Sequence, residues 1–373
     1  MSDQPTVLQP LLNERRQFHM KACLGRGGFG EVYRATMVSA GGLRAEVAVK
    51  VLHAEVDPNS QSVQRLRDEG RMLGAVRHPS VLKVYDLVLL DGRVALVTEY
   101  VEGQDLDKCL QDADPLPVRA LVEVIAKIAE ALDAAFNAPG PSGEGTLQLV
   151  HRDIKPANIR LGLHGEVKLL DFGIARATNV QREARTETNA MLGSYLYMAP
   201  ERFLENVEAG PPMDVFGLGL TLFEGIARRR MFGEMTLKEL YLLILDPVRY
   251  DVFVRSQLET IPKEIPHQVV ALIYRTLDLD PSKRPSHQTL ARSCYELADK
   301  LRTELMKTEN VGLTYISGGS PQQIRVEPSP EKLALYGVTL QQLVAKVRDA
   351  NRSFLAGQVR DAGVTRSVAA GQT

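Results

Sequence analysis

Between residues 21 and 100 the apolar positions fall in short runs rich in β-branched residues, separated by glycines and an Asp-Gly pair. The runs Lys21–Leu24, Glu31–Thr36, Glu46–Leu52, Leu82–Leu90 and Val94–Tyr100 predict strands. One stretch among them, Ser62–Val76, sets Val63, Leu66, Met72, Leu73 and Val76 on a partial apolar face and predicts a helix. Past Gly103 the spacing changes. Leu121, Val124, Ile125, Ile128 and Leu132 recur at three- and four-residue steps, which predicts an amphipathic helix over Val118–Phe136. Asn137–Gly145 is dense in Pro, Gly and Ser and reads as a loop. The expected fold class is α+β, with a small sheet lobe containing one helix followed by a mostly helical lobe.

The pattern changes again after Arg302. Gly318-Gly319-Ser320-Pro321 and Pro328-Ser329-Pro330 are breaker clusters, so residues 303–322 read as a linker. Beyond it, Gln323–Pro328 alternates like a short strand. Thr339-Leu340-Gln341-Gln342 reads as a capping box opening a helix with Leu340, Leu343, Val344 and Val347 on one face. Residues 323–373 are therefore expected to form a small βα tail.

Composition narrows the function classes. Hydrophobic residues make up 44% and charged residues 24% of 373, enough to bury a core. A formal net charge of −1 gives no support for nucleic-acid binding. The run Arg228-Arg229-Arg230 is isolated and reads as a solvated loop or helix end. Cys23, Cys109 and Cys294 are far apart and odd in number, which points to reduced thiols and a cytoplasmic setting. No apolar run is long enough for a membrane span; Val215 to Ile226 is too short and too interrupted.

The chemistry-bearing segments come in order. Gly25-Arg26-Gly27-Gly28-Phe29-Gly30 has the G-x-G-x-x-G spelling, whose glycines let backbone N–H groups reach phosphate oxygens. Strand-like sequence on both sides suggests a β-turn-β flap, whereas a dinucleotide fold needs a helix directly after the loop. Val47-Ala48-Val49-Lys50 follows. A lysine ending an apolar strand is ordinarily a surface residue, and Glu69 alone an ordinary helix charge. Taken together they favour an ion pair that holds the ammonium against nucleotide phosphates. The decisive run is His151-Arg152-Asp153-Ile154-Lys155-Pro156-Ala157-Asn158, then Asp171-Phe172-Gly173. Phosphoryl transfer needs a carboxylate to orient the attacking hydroxyl and oxygen ligands to hold a divalent cation; Asp153, Asn158 and Asp171 are of those types.

These motifs resemble the eukaryotic-type serine/threonine protein kinase family in its bacterial form, over residues 18–302, with lobes at 18–101 and 102–302. The resemblance implies a two-lobed kinase fold, ATP with Mg²⁺ (Mn²⁺ as an alternative), protein substrates, and dimerisation as an arrangement for trans-autophosphorylation. It implies Asp153 as catalytic base, Lys155 on the transferred phosphate, Asn158 and Asp171 as metal ligands, and Lys50–Glu69 as the activating pair. Leu24, Val32 and Ala48 would wall the adenine pocket, with Gly25, Gly27, Gly28 and Gly30 over the phosphates. Thr98 would be the gatekeeper, Glu99–Val101 the hinge, and Asp105 a ribose contact. Gly193–Glu201 resembles the substrate loop. Ser194 stands where the family has Thr and can still bridge Asp153 and Lys155; Glu201 should pair with Arg284. Asp214 would anchor the catalytic loop, and Leu73, Val84, His151 and Phe172 would stack as a spine. Arg152 beside the base implies control by activation-loop phosphate, with Thr178, Thr186 and Thr188 as candidate sites.

Two features depart from the family pattern. Arg160 replaces an apolar residue under the adenine ring, where its stem is expected to pack and its guanidinium is able to stack. The Asn137–Gly145 loop is longer than usual and reads as a surface insertion. Separately, Ile324–Val359 resembles part of the porter region of resistance–nodulation–division efflux pumps, without that family's transmembrane helices.

Overall fold

The computed structural model describes residues 16–27, 30–53, 70, 72–140, 145–172, 194–203, 210–233, 235–306, 354–361 and 364–370. Glu69, Gly28, Thr178, Thr186, Thr188 and the side chain of Ser194 lie outside the described set, as do the expected strand 323–328 and the helix opening at Thr339.

The first unit, Met1–Gly318, contains both lobes. Its N-terminal part is a five-stranded antiparallel sheet: β1 (Gln17–Gly27), β2 (Gly30–Val38), β3 (Arg44–Leu52), β4 (Val84–Leu90) and β5 (Arg93–Glu99). The strand order is β1-β2-β3-β5-β4. Period-two alternation in β3 buries Val47, Val49 and Val51 against Ala35, Ala95 and Val97, while Ala48 and Lys50 face the other way. Asp91 and Gly92 both have positive φ, at 50° and 77°, and join β4 to β5 as a two-residue turn of the twist-matching kind. Residues 72–75 are helical, within the expected Ser62–Val76 helix.

The helical lobe is built on α1 (Leu106–Gln111), α2 (Val118–Asn137), α3 (Pro211–Ala227), α4 (Leu237–Ile244), α5 (Pro247–Glu259), α6 (His267–Thr276) and α7 (His287–Met306). The apolar stripe of α2 lies in the core, with Ile128 and Leu132 at 0% exposure. Each such side chain contributes roughly 1.5–3 kcal/mol of burial energy. α3 is buried nearly all round, begins with Pro211 and Pro212 at positions that need no N–H donor, and stops at Arg228 in the left-handed region (φ 57°). α4 opens with a capping box between Thr236 and Glu239. The expected loop 137–145 is closed at its base: Pro139 bridges Thr146, and Leu147 donates to the Ala138 carbonyl at 2.8 Å.

Between the lobes lies a small antiparallel sheet of β6 (Gly103–Asp105), β7 (Ile159–Gly162) and β8 (Val167–Leu169) in that order. It carries the segment that follows the hinge and the segment that follows Asn158. The second unit, Gly319–Thr373, contains an antiparallel hairpin of β9 (Phe354–Asp361) and β10 (Val364–Ala370), paired from Asp361↔Val364 outward.

Candidate active site

Strand register explains one wall of the interlobe cleft. Val32 lies opposite Lys50, and Ala48 opposite Thr98, so all four share one face of the sheet, the face opposite the Val47–Val49–Val51 core. Thr98 is buried at 7% exposure and its hydroxyl donates to the Glu99 carbonyl at 3.3 Å. Leu24 lies at the rim, 44% exposed. Gly30 is required where β2 passes β3, because a Cβ there would run into the Val51 carbonyl.

The opposite wall is the segment after Val150, held from below. Asp214 on α3 is 1% exposed, and its two oxygens accept the backbone N–H groups of His151 (2.8 Å) and Arg152 (2.7 Å). That grip holds Arg152 at a φ of 69°. The His151 ring adds two bonds: Nε2 meets the Leu170 carbonyl at 2.8 Å, and Nδ1 accepts the Asp153 N–H at 3.3 Å. The carbonyl fixes the proton on Nε2, leaving Nδ1 as acceptor. The ring packs on Phe172 with centroids 4.7 Å apart, and Leu73, Val84 and Phe172 join the main core.

Held this way, Asp153 turns one carboxylate oxygen toward two donors. Lys155 Nζ lies 2.8 Å and Asn158 Nδ2 3.0 Å from Asp153 Oδ2. Asn158 Nδ2 also donates to the Asp153 carbonyl at 2.6 Å. Both amide hydrogens of Asn158 are thereby spent on Asp153, which leaves its oxygen as the atom suited to a cation. Across the cleft Lys50 Nζ donates to Asp171 Oδ1 at 2.7 Å. Burial pushes the Asp171 carboxyl up, but its side chain is 58% exposed and the Lys50 charge and hydrogen bond prevail, holding it below the usual range. Asp171 sits in the left-handed region at φ 47°.

Oxygen donors of this kind suit a hard divalent cation. Among the described residues no three His, Cys, Asp or Glu cluster as a metal site. Asp171 and the free oxygen of Asn158 are donors of the type a hard cation takes.

On the far side, Arg284 holds Glu201 through two bonds of 2.8 Å, and Tyr195 donates to the Met235 carbonyl at 3.0 Å, fixing residues 195–201 to the helical lobe. Two basic residues had no assigned partner at the level of sequence. Lys168 pairs with Glu99 Oε1 at 2.6 Å, and Arg160 bonds to the Val101 carbonyl (2.8 Å), the Gly103 carbonyl (2.8 Å) and Asp105 Oδ1 (2.7 Å). They lie opposite each other on β7 and β8, a like-charge pairing that a hairpin disfavours unless each charge is matched. The two facing cations are matched by Glu99 at the start of the hinge segment and Asp105 just past its end, a match that only the strand pairing reveals.

A cleft with a lysine–aspartate pair on one side and a carboxylate held by lysine and asparagine on the other brings together the residue types that phosphoryl transfer requires. Residues 18–295 match the protein kinase domain family, and the chain belongs to it. Residues 282–373 match the AcrB/AcrD/AcrF family. The chain is 30% identical over 287 residues to the tyrosine-protein kinase MasK of Myxococcus xanthus, covering 74% of this chain and 42% of MasK. It is 32% identical over 323 residues to the serine/threonine-protein kinase PkaA of Streptomyces coelicolor, covering 82% and 55%. Identity to the serine/threonine-protein kinase PknH of Mycobacterium tuberculosis is 38% over 207 residues, covering 56% and 31%. The chain thus spans about a third to a half of these relatives. Its family acts on protein substrates with ATP and a divalent metal. Among the described residues no helix is long and apolar enough to cross a membrane.

Proposed function

We propose that this chain transfers the γ-phosphoryl group of ATP to serine and threonine hydroxyls of proteins. The observation that carries the reading is the arrangement of Lys155 and Asn158 on one oxygen of Asp153. A hydroxyl entering beside Asp153 donates its hydrogen bond to the carboxylate, which takes the proton as the oxygen attacks phosphorus. Lys155 lies where its charge meets the transferred phosphoryl group. Lys50 holds the α- and β-phosphates, with Glu69 as its partner in the active arrangement. Asn158 and Asp171 would hold the metal, read as Mg²⁺ with Mn²⁺ as the alternative, and it would supply positive charge to neutralise the phosphates. The adenine lies between Leu24, Val32, Ala48 and the hinge Glu99–Val101, past the gatekeeper Thr98, under the loop Gly25, Gly27, Gly28 and Gly30. Arg152 reads phosphate added to Thr186 or Thr188, with Thr178 a further acceptor, in trans between two copies. The kinase domain is taken as 18–302, with 303–322 a linker to a separate tail, 323–373. Three free, separated cysteines support a cytoplasmic setting.

Ser/Thr preference is supported by Lys155 beside the base and by Ser194 in the substrate loop. The resemblance to MasK, named a tyrosine kinase, makes the acceptor the point to test. Incubation with γ-labelled ATP and a divalent cation, followed by phosphoamino-acid analysis, should give phosphoserine and phosphothreonine. Phosphotyrosine as the main product would refute the preference. Thr186→Ala/Thr188→Ala should lower activity, and undiminished activity would exclude both as activating sites.

A further inference from the structure

Arg160 is a cross-strand partner of Asp105: β6 and β7 pair Asp105 with Arg160, so both side chains leave the same face of the small sheet. Its guanidinium spends all three nitrogens on the last hinge residue and the segment after it. Nε donates to the Val101 carbonyl at 2.8 Å, Nη2 to the Gly103 carbonyl at 2.8 Å, and Nη1 to Asp105 Oδ1 at 2.7 Å. The pair is mostly shielded, with side-chain exposures of 19% and 25%. A planar fork that meets acceptors on residues 101, 103 and 105 at once leaves the segment little freedom.

This arrangement changes what Asp105 can offer a nucleotide. A carboxylate that binds a sugar hydroxyl strongly does so with its charge, and that charge is already matched by Arg160. We propose that Arg160 withdraws Asp105 from sugar recognition and locks residues 101–105, so that this chain reads its nucleotide by base and phosphates and accepts the 2′- and 3′-deoxy forms nearly as well as ATP. The inference rests on the reading of the cleft as an ATP site. The Val101 carbonyl is taken by Arg160; its N–H and the second lone pair of the Glu99 carbonyl, which already accepts the Thr98 hydroxyl, are the hinge groups matched to the donor–acceptor edge of adenine.

Equilibrium binding of ATP, 2′-deoxy-ATP and 3′-deoxy-ATP with Mg²⁺ to the full chain tests this. A hydrogen bond from a sugar hydroxyl to an unmatched carboxylate is worth about tenfold or more in affinity. In wild type each deoxy form should bind within about threefold of ATP, the scale of a weak neutral hydrogen bond. Arg160→Leu frees Asp105, and the preference for ATP should rise toward about tenfold, while Arg160→Lys, still able to pair with Asp105, should keep it low. A wild-type preference of tenfold or more that Asp105→Ala abolishes overturns the proposal. So does an Arg160→Leu ratio equal to wild type in a folded variant. If Arg160→Leu does not fold, the wild-type and Asp105→Ala ratios decide: both low supports the proposal, and a drop on losing Asp105 overturns it. Failure of wild type to bind any of the three refutes the ATP reading and the inference with it, whereas binding with strong sugar discrimination refutes the inference alone.

Discussion

Arg284 grips Glu201 through both terminal guanidinium nitrogens, each 2.8 Å from a carboxylate oxygen, with side-chain exposures of 0% and 7%. The guanidinium also donates to the Asp278 carbonyl and lies 4.9 Å from the Phe216 ring centroid. Breaking a buried pair from one side leaves the other charge uncompensated. Glu201→Ala should cost about 3–5 kcal/mol in urea unfolding, and a well-packed apolar replacement of both residues much less. A single-variant loss below about 1 kcal/mol, the level of an exposed pair, would contradict this.

Asp214 serves two N–H groups with two oxygens, and no neutral isostere can do the same. Asn at this position has one acceptor oxygen, so one of the His151 and Arg152 amides loses its partner. Misplacing Asp153 slightly is enough to cost about a hundredfold in kcat. Steady-state kinetics of Asp214→Asn should show that loss with KM for ATP nearly unchanged.

Gly217 on α3 lies directly against the segment that carries Asp153, where a Cβ would stand 2.8 Å from the carbonyl oxygen and Cβ of Ile154. Gly217→Ala should therefore destabilise by about 1–3 kcal/mol, as overpacking does, and lower kcat with it. Gly74, helical and with open space around it, is the control. Gly74→Ala should be neutral or stabilising by about 0.5–1 kcal/mol, measured in the same unfolding series.

His287 is 3% exposed, and its Nε2 has no hydrogen-bond partner among the described residues. Burial lowers its pKa, against the opposing pull of Asp214 and Asp133. As pH falls the unfolded chain takes this proton first. The associated stability is therefore complete above roughly pH 6.5 and is lost as pH falls toward the folded-state value. Thermal unfolding between pH 7.5 and 5.5 should show a steeper fall in Tm for wild type than for His287→Gln. Parallel curves would show that His287 does not titrate on unfolding in this range.

Much of the sheet and of α2 was legible because each has a clean period. The strands Glu46–Leu52 and Val94–Tyr100 appear as β3 and β5 within a residue or two, and the apolar stripe of α2 is buried as its spacing requires. β1 begins four residues before the expected Lys21, since an edge strand needs no apolar face to be hydrogen-bonded. The β9–β10 hairpin went unread because Phe354–Asp361 lacks regular alternation. In the site, residue types suggested roles for Asp153, Asn158 and Asp171, but not the partners that hold them. Arg160 shows why. Its place in the sequence suggested a floor for the adenine, while the bonds of its head depend on the pairing of β6 with β7, a contact spanning 55 residues.

The most direct test compares wild type with Asp153→Asn for transfer of labelled γ-phosphate, with nucleotide binding measured in parallel. Binding should be unchanged and transfer should fall by at least about a hundredfold, the minimum expected for loss of a catalytic base. Equal transfer by the variant, or none by wild type, would contradict the account.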